Sequence, residues 1–151
     1  MTHEDYMKLA LEEAEKAFNE GNAPFGVAVV DSAGKVVWKD HDRVKELMDP
    51  TAHGEINAIR ALCSKLKTLS LRDYTFYTTS EPCPTCLTGC IKAKVSKIYY
   101  GAETESSASL PLKAIELAKY SKKYPIEVQG GILAKECEKQ REHLLKKMIQ
   151  I

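Results

Sequence analysis

The chain has 151 residues, 44% of them hydrophobic and 28% charged, which suits one globular domain with its own core and argues against disorder. Its 22 basic and 21 acidic residues leave a net charge of +1, so no overall field draws it to nucleic acid or to an anionic membrane. The longest apolar runs are far too short to span a bilayer, and the N-terminal stretch carries acids from the start with no signal-peptide core, so a cytoplasmic protein is expected.

Residues 4–20 have helical periodicity, with Leu9, Ala10, Ala14, Ala17 and Phe18 on one side. The stretch EGNAP then breaks the helix. FGVAVVD reads as a buried strand and KVVWKD as its partner, joined by the turn SAGK. A second helix opens in MDPTAHGEINAIRALCSKL, with Asp49 or Thr51 as its cap and Ile56, Ile59, Cys63 and Leu66 as its inward stripe. YTFYTT is a third strand, residues 83–93 a short helix, and SKIYYGA a fourth strand. LPLKAIELAKY reads as helical, IEVQG as a short fifth strand, and residues 132–148 as a closing helix. This alternation predicts a single α/β domain over residues 1–151, its mostly parallel sheet covered by helices on both faces. Ligands bind such sheets beyond the carboxyl ends of the strands, near helix starts. Residues 51–55 and 80–86 both sit at a helix start.

Those two segments carry the chemistry. TAHGE supplies His53 and Glu55, and EPCPTC supplies Cys83 and Cys86. The chain has five cysteines, an odd number that argues against a disulfide framework in an intracellular protein. Zinc favours nitrogen and thiolate ligands, and three protein ligands leave a fourth position open for water, the pattern of a catalytic site. Cys83 and Cys86 are three apart at a helix start, so both face one point, and the helix dipole favours their thiolates. His53 is the third ligand. Glu55 lies within reach of a metal-bound water, where a carboxylate takes a proton and returns it to the substrate. Taken singly, each half has a plainer explanation: His-x-Glu is commonly a solvated pair, and Cys-x-x-Cys is commonly structural zinc, redox or core. Together they are far more specific. Cys90 lies one helical turn, about 5.4 Å, past Cys86, too deep for a zinc–sulfur bond of about 2.3 Å. Cys90 and Cys63 therefore read as core, and Cys137 as a helix residue without a role.

The pattern His-x-Glu followed by Pro-Cys-x-x-Cys resembles the signature of zinc-dependent deaminases. From APFGVAVV through DPTAHGEINAIRALC, TFYTTSEPCPTC and SKIYYGA to GGILAKEC, the chain is similar to the cytidine/nucleobase deaminase superfamily, including bacterial guanine deaminases, fungal cytosine deaminase and bacterial tRNA adenosine deaminases. The resemblance implies a three-layer α/β/α fold with a central five-stranded mixed sheet, one Zn²⁺ per chain, and a homodimer or larger homo-oligomer. It implies hydrolytic deamination, in which zinc-activated water attacks the amino-bearing ring carbon, Glu55 shuttles protons and ammonia leaves. It also places the Gly54 and Cys83 amides and the Glu81 carbonyl against the base, with the segment from Pro24 to Gly26, Phe25 included, as one pocket wall and Pro82 beside the substrate. Relatives usually carry Asn eleven residues before the zinc histidine. Here that residue is Asp42, which when ionised only accepts hydrogen bonds and so favours a substrate edge bearing N–H or NH₂.

Glu103 and Glu105, in ETESSAS after the fourth strand, read as acids over the pocket that touch a small base and repel phosphate. The expected substrate is therefore a small amino-heterocycle of the guanine, cytosine/isocytosine or aminotriazine type. A tRNA adenosine deaminase is the alternative, and a non-catalytic zinc-binding protein with this fold is the alternative of another class.

Overall fold

The computed structural model describes residues 1–104 and 110–149. Helix α1 (His3–Asn19) starts at a capping box in which the Thr2 hydroxyl and the Asp5 carboxylate each take the other's backbone N–H. Its buried face is Tyr6, Met7, Ala10, Ala14 and Ala17, with Leu9 and Phe18 half-buried at the edges. Strands β1 (Gly26–Val30) and β2 (Val36–His41) follow as a hairpin. A short helix α2 (Val44–Leu47), absent from the sequence reading, ends at a left-handed Met48. Then come α3 (Gly54–Leu66), β3 (Thr75–Ser80), α4 (Pro84–Lys92), β4 (Lys97–Ala102), α5 (Ala114–Ala118), β5 (Glu127–Gln129) and α6 (Ala134–Ile149).

The five strands form one sheet in the order β2-β1-β3-β4-β5. β1 is antiparallel to both β2 and β3, whereas β3–β4 and β4–β5 are parallel, so the sheet is mixed rather than mostly parallel. β2 and β3 do run in the same direction, joined through α3, but the hairpin strand β1 is inserted between them. Helices α1 and α6 cover one face; α3, α4 and α5 cover the other. β1 has both faces buried. Val27 and Val29 enter the core beneath α3 and α4, while Ala28 and Val30 enter the core beneath α1. This explains why its sequence is a continuous apolar run.

The stripe and cap read for α3 both require correction. Its fully buried face is Glu55, Ala58 and Leu62, one position off the expected stripe; Ile56, Ile59 and Cys63 are half-buried and Leu66 is exposed. Asp49 spends its carboxylate on the Thr51 N–H and hydroxyl, and His53 is the N-cap, without a side-chain cap bond. Cys137 also differs from expectation. It is buried in the core under α6, against Gly101, where a Cβ would collide with its sulfur. Among the described residues no helix is long and apolar enough to cross a membrane.

Candidate active site

The carboxyl ends of β2, β3 and β4 and the start of β1 meet along one end of the sheet. Two helices begin there. The N-terminus of α3 carries His53 as N-cap and Glu55 in the first turn; α4 begins at Cys83, its N-cap, with Pro84 at the first helical position, where a missing N–H costs nothing. Cys86 lies on the buried side of that first turn. The two helices pack side by side, with Gly89 passing directly beneath Ile56, so both starts address the same point.

At that point His53 Nδ1 lies 3.2 Å from Cys86 Sγ and 3.6 Å from Cys83 Sγ. Tetrahedral zinc with ordinary Zn–N and Zn–S bonds sets nitrogen and sulfur about 3.5 Å apart, so the three donors fit the ion. They form a possible metal site. Without metal, protons take the cation's place. The Cys86 thiol hydrogen-bonds the Cys83 sulfur and, with His53, lowers the Cys83 pKa to about 3 against the effect of burial. The same contact raises Cys86. The hydrogen bond to Cys83 raises His53 to about 9. Metal binding must displace these protons, since zinc takes thiolates and neutral imidazole. Glu55 is only 8% exposed, and burial lifts its pKa, opposed by a hydrogen bond from Cys86 and by the nearby imidazole.

His53, Glu55 and Cys83 open onto a cavity of about 340 Å³, a volume that suits one small heterocycle, and Cys86 lies fully buried beside them. Phe25, Asp42, Gly54 and Glu81 also line it. Asp42 is 5% exposed; its Oδ1 accepts the Val44 N–H at 3.1 Å, its own N–H donates to the Phe25 carbonyl, and burial raises its pKa. The Glu81 carboxylate faces structure rather than ligand: Oε2 accepts the Ala114 N–H at 2.8 Å, Oε1 accepts the Thr104 N–H at 3.3 Å, and Lys113 lies 3.5 Å away. Pro82 is buried behind the wall and does not line the cavity. Glu103 is exposed and contributes its backbone carbonyl to Arg141, not its side chain to the cavity. Glu105 lies outside the described residues.

Gly26, expected in the wall with Phe25, does line the cavity, and Pro24 does not; sequence reasoning missed other lining residues, among them Thr79, Ser80 and Thr104. Thr79 and Ser80 directly precede the EPC motif, so extending that motif by two residues would have found them. Thr104 carries no such signal. Asn57 was missed as a support. Its amide donates to the His41 carbonyl at 2.9 Å and the Ala52 carbonyl at 3.1 Å, tying the turn before His53 to the strand end before Asp42. A second group of potential ligands, Glu20, His41 and Glu46, lies nearby. There both His41 nitrogens already face carboxylates, Glu13 at 2.9 Å and Glu20 at 2.7 Å, and Glu46 is held by Arg43 and Asn22.

Residues 1–102 match the family model for the cytidine and deoxycytidylate deaminase zinc-binding region. The chain is similar to the tRNA-specific adenosine deaminase of Aquifex aeolicus, with 38% identity over 68% of this chain and 67% of that protein. It is similar to the guanine deaminase of Bacillus subtilis, with 37% identity over 72% of this chain and 69% of that protein. A solved structure from work on A-to-I editing by tRNA:A34 deaminases superposes with a TM-score of 0.80 at 29% identity, covering 90% of this chain and 98% of that one. The metal-ligand geometry, the mixed sheet and the family match converge, and the chain belongs to the zinc-binding cytidine/deoxycytidylate deaminase family, whose members are hydrolytic deaminases acting on C–N bonds.

Proposed function

We propose that this chain deaminates a small, free amino-heterocycle of the guanine, cytosine/isocytosine or aminotriazine type, with Glu55 as proton shuttle. The observation that carries this reading is the Glu55 carboxylate, which lines the same single-base cavity as His53 and Cys83, with Cys86 buried beside them. His53, Cys83 and Cys86 would hold zinc, which when bound would lower the pKa of a coordinated water to about 7. Glu55 receives a proton from the attacking water on a carboxylate oxygen and delivers it to the substrate nitrogen; the water oxygen bonds the ring carbon as the C–N bond breaks, so that the amine leaves as ammonia. A positioned acid–base group of this kind contributes roughly 10²–10⁴-fold to a rate. The first N–H groups of α3 and α4 have no intrahelical partners and present donors to the base, Gly54 foremost. Phe25 supplies an apolar side. Asp42, as an acceptor-only carboxylate, favours an edge bearing N–H or NH₂.

Similarity to proteins that act on tRNA favours a second reading, deamination of an adenosine in tRNA. An ammonia-release screen of the zinc-loaded protein over nucleobases, nucleosides, aminotriazines and a tRNA anticodon stem-loop separates the two. Release from a free base at rates insensitive to salt supports the first. Release from the stem-loop alone, falling steeply with salt, replaces it with the second. Asp42→Asn is expected to change the substrate profile with zinc content intact; an unchanged profile means that Asp42 does not read the base.

A further inference from the structure

Beyond the acceptor at Asp42, the cavity has a wall of the opposite polarity. Ser80, at the end of β3, and Thr104, just past β4, both line it. Behind them stands Arg141 of α6, a helix that otherwise packs on the far face of the sheet. One guanidinium nitrogen of Arg141 donates to Ser80 Oγ at 2.9 Å and to Thr104 Oγ1 at 3.2 Å, and the other donates to the Glu103 carbonyl at 3.0 Å. Arginine has donors only. Each hydroxyl oxygen is therefore used here as an acceptor, and its own proton must point elsewhere. Among the described residues no protein acceptor takes the Ser80 hydroxyl proton, and the open side of that residue is the cavity. A hydrogen bond from a cation to the oxygen polarises the O–H and strengthens it as a donor.

We infer that Ser80 and Thr104, oriented and polarised by Arg141, form a donor subsite that binds a hydrogen-bond acceptor on the substrate, an oxo group or ring nitrogen. The inference rests on the free-base reading above and adds which edge of the base is read. Strand spacing gives the geometry: the ends of β2 and β3 are separated by β1, two spacings of about 4.8 Å. Asp42 and Ser80 thus line the cavity from opposite sides of β1. The pocket sorts substrates by pattern, with a donor edge toward Asp42 and an acceptor edge toward Ser80. Arg141 is a positioning residue; Ser80 and Thr104 are the contacts.

Guanine and 2,6-diaminopurine test this, because both carry the 2-amino group but guanine offers an oxo acceptor at position 6 where diaminopurine offers an amine. The zinc-loaded wild type, Ser80→Ala, Arg141→Met and Arg141→Lys are compared on both bases, by kcat/KM where ammonia is released and by equilibrium dialysis where it is not. Zinc content and Tm are measured in parallel. The wild type is expected to prefer guanine. Ser80→Ala is expected to weaken guanine about tenfold, with diaminopurine unchanged or improved, the size set by one polarised hydrogen bond. Arg141→Met is expected to lower the preference similarly, mainly through KM, and Arg141→Lys, which restores the charge without the fork, to recover part of it. Guanine handled by the wild type with a preference that survives Ser80→Ala and Arg141→Met overturns the donor subsite and leaves the free-base reading standing. Equal losses on both bases overturn it as well. A wild type that neither binds nor turns over either base, yet deaminates the stem-loop, overturns the free-base reading and the subsite with it.

Discussion

Asn57→Ala is the perturbation whose cost can be worked most directly from contacts. Asn57 is 8% exposed, and its amide gives one hydrogen bond to the His41 carbonyl and one to the Ala52 carbonyl. Truncation removes the side-chain donor from the His41 carbonyl, whereas the Ala52 carbonyl keeps the Arg43 N–H at 2.9 Å. One unsatisfied buried polar group costs roughly 1–3 kcal/mol. For a domain of this length about 1 kcal/mol lowers Tm by roughly 2–4 °C, which predicts a drop of about 2–12 °C. The same contacts set the entry to His53, and residues that orient metal ligands from behind typically contribute 10–100-fold to metal affinity. Calorimetry reads the first effect, and competition against a chromophoric zinc chelator reads the second. Asn57→Asp gives a control of the same shape that lacks both donors, and it is expected to be at least as damaging. A Tm equal to that of wild type together with unaltered zinc affinity would refute the reasoning, because the His41 carbonyl would then be shown to find another partner at no cost.

Glu55→Ala is expected to lower kcat by about 10²–10⁴-fold while zinc stoichiometry stays at wild-type level; substantial residual turnover in an ammonia assay removes its shuttle role. Gly26→Ala puts a Cβ into the backbone of α1 at Ala10 and Ala14, and a displacement of that helix is expected to cost at least about 1–3 kcal/mol, visible as a lower urea midpoint; an unchanged midpoint contradicts the close approach. The Tyr77 hydroxyl is raised to a pKa of about 12 by burial first and then by Tyr99 and Tyr6. The folded state therefore holds this proton more tightly than the unfolded state, whose phenol titrates near 10. Its contribution is fully present below about pH 10 and is lost as pH rises from there through about 12. The stability difference between wild type and Tyr77→Phe is expected to shrink across that window, and a difference that stays flat between pH 8 and pH 11.5 contradicts the assignment.

The fold's elements were largely legible because each followed a local rule. The period of α1, the β-branched runs of β1 and β3, and the prolines around Cys83 act within a few residues. The failures came where the competition was not local. For α3, Asp49 looked like a cap, but its carboxylate closes a turn onto Thr51, and the helix starts at His53 because the metal-ligand turn is held by Asn57 from the far side. The inward stripe of α3 was read from apolarity, which skipped Glu55. The structure buries that carboxylate in line with Ala58 and Leu62, because the site needs it inside and α4 covers it. Cys137 looked idle because nothing in the sequence of α6 marks the close pass over Gly101. Alternation of helix and strand alone points to a mostly parallel sheet, because it does not reveal that β1 is inserted between β2 and β3; the five-stranded mixed sheet that the resemblance implied is the one the structure has.

By itself the sequence determined the family, since one histidine, one carboxylate and two cysteines at helix starts are a matter of residue identity and short spacing. The three residues of the possible metal site could be named, and an α/β fold followed from element order. Only the tertiary structure decided the shape and polarity of the pocket. Asp42, Ser80 and Thr104 come from three different strand ends, and Arg141 reaches Ser80 and Thr104 from a helix on the opposite face of the sheet. Donor and acceptor patterns of that kind depend on how strands are ordered and how far a side chain reaches across them, which no local spacing records.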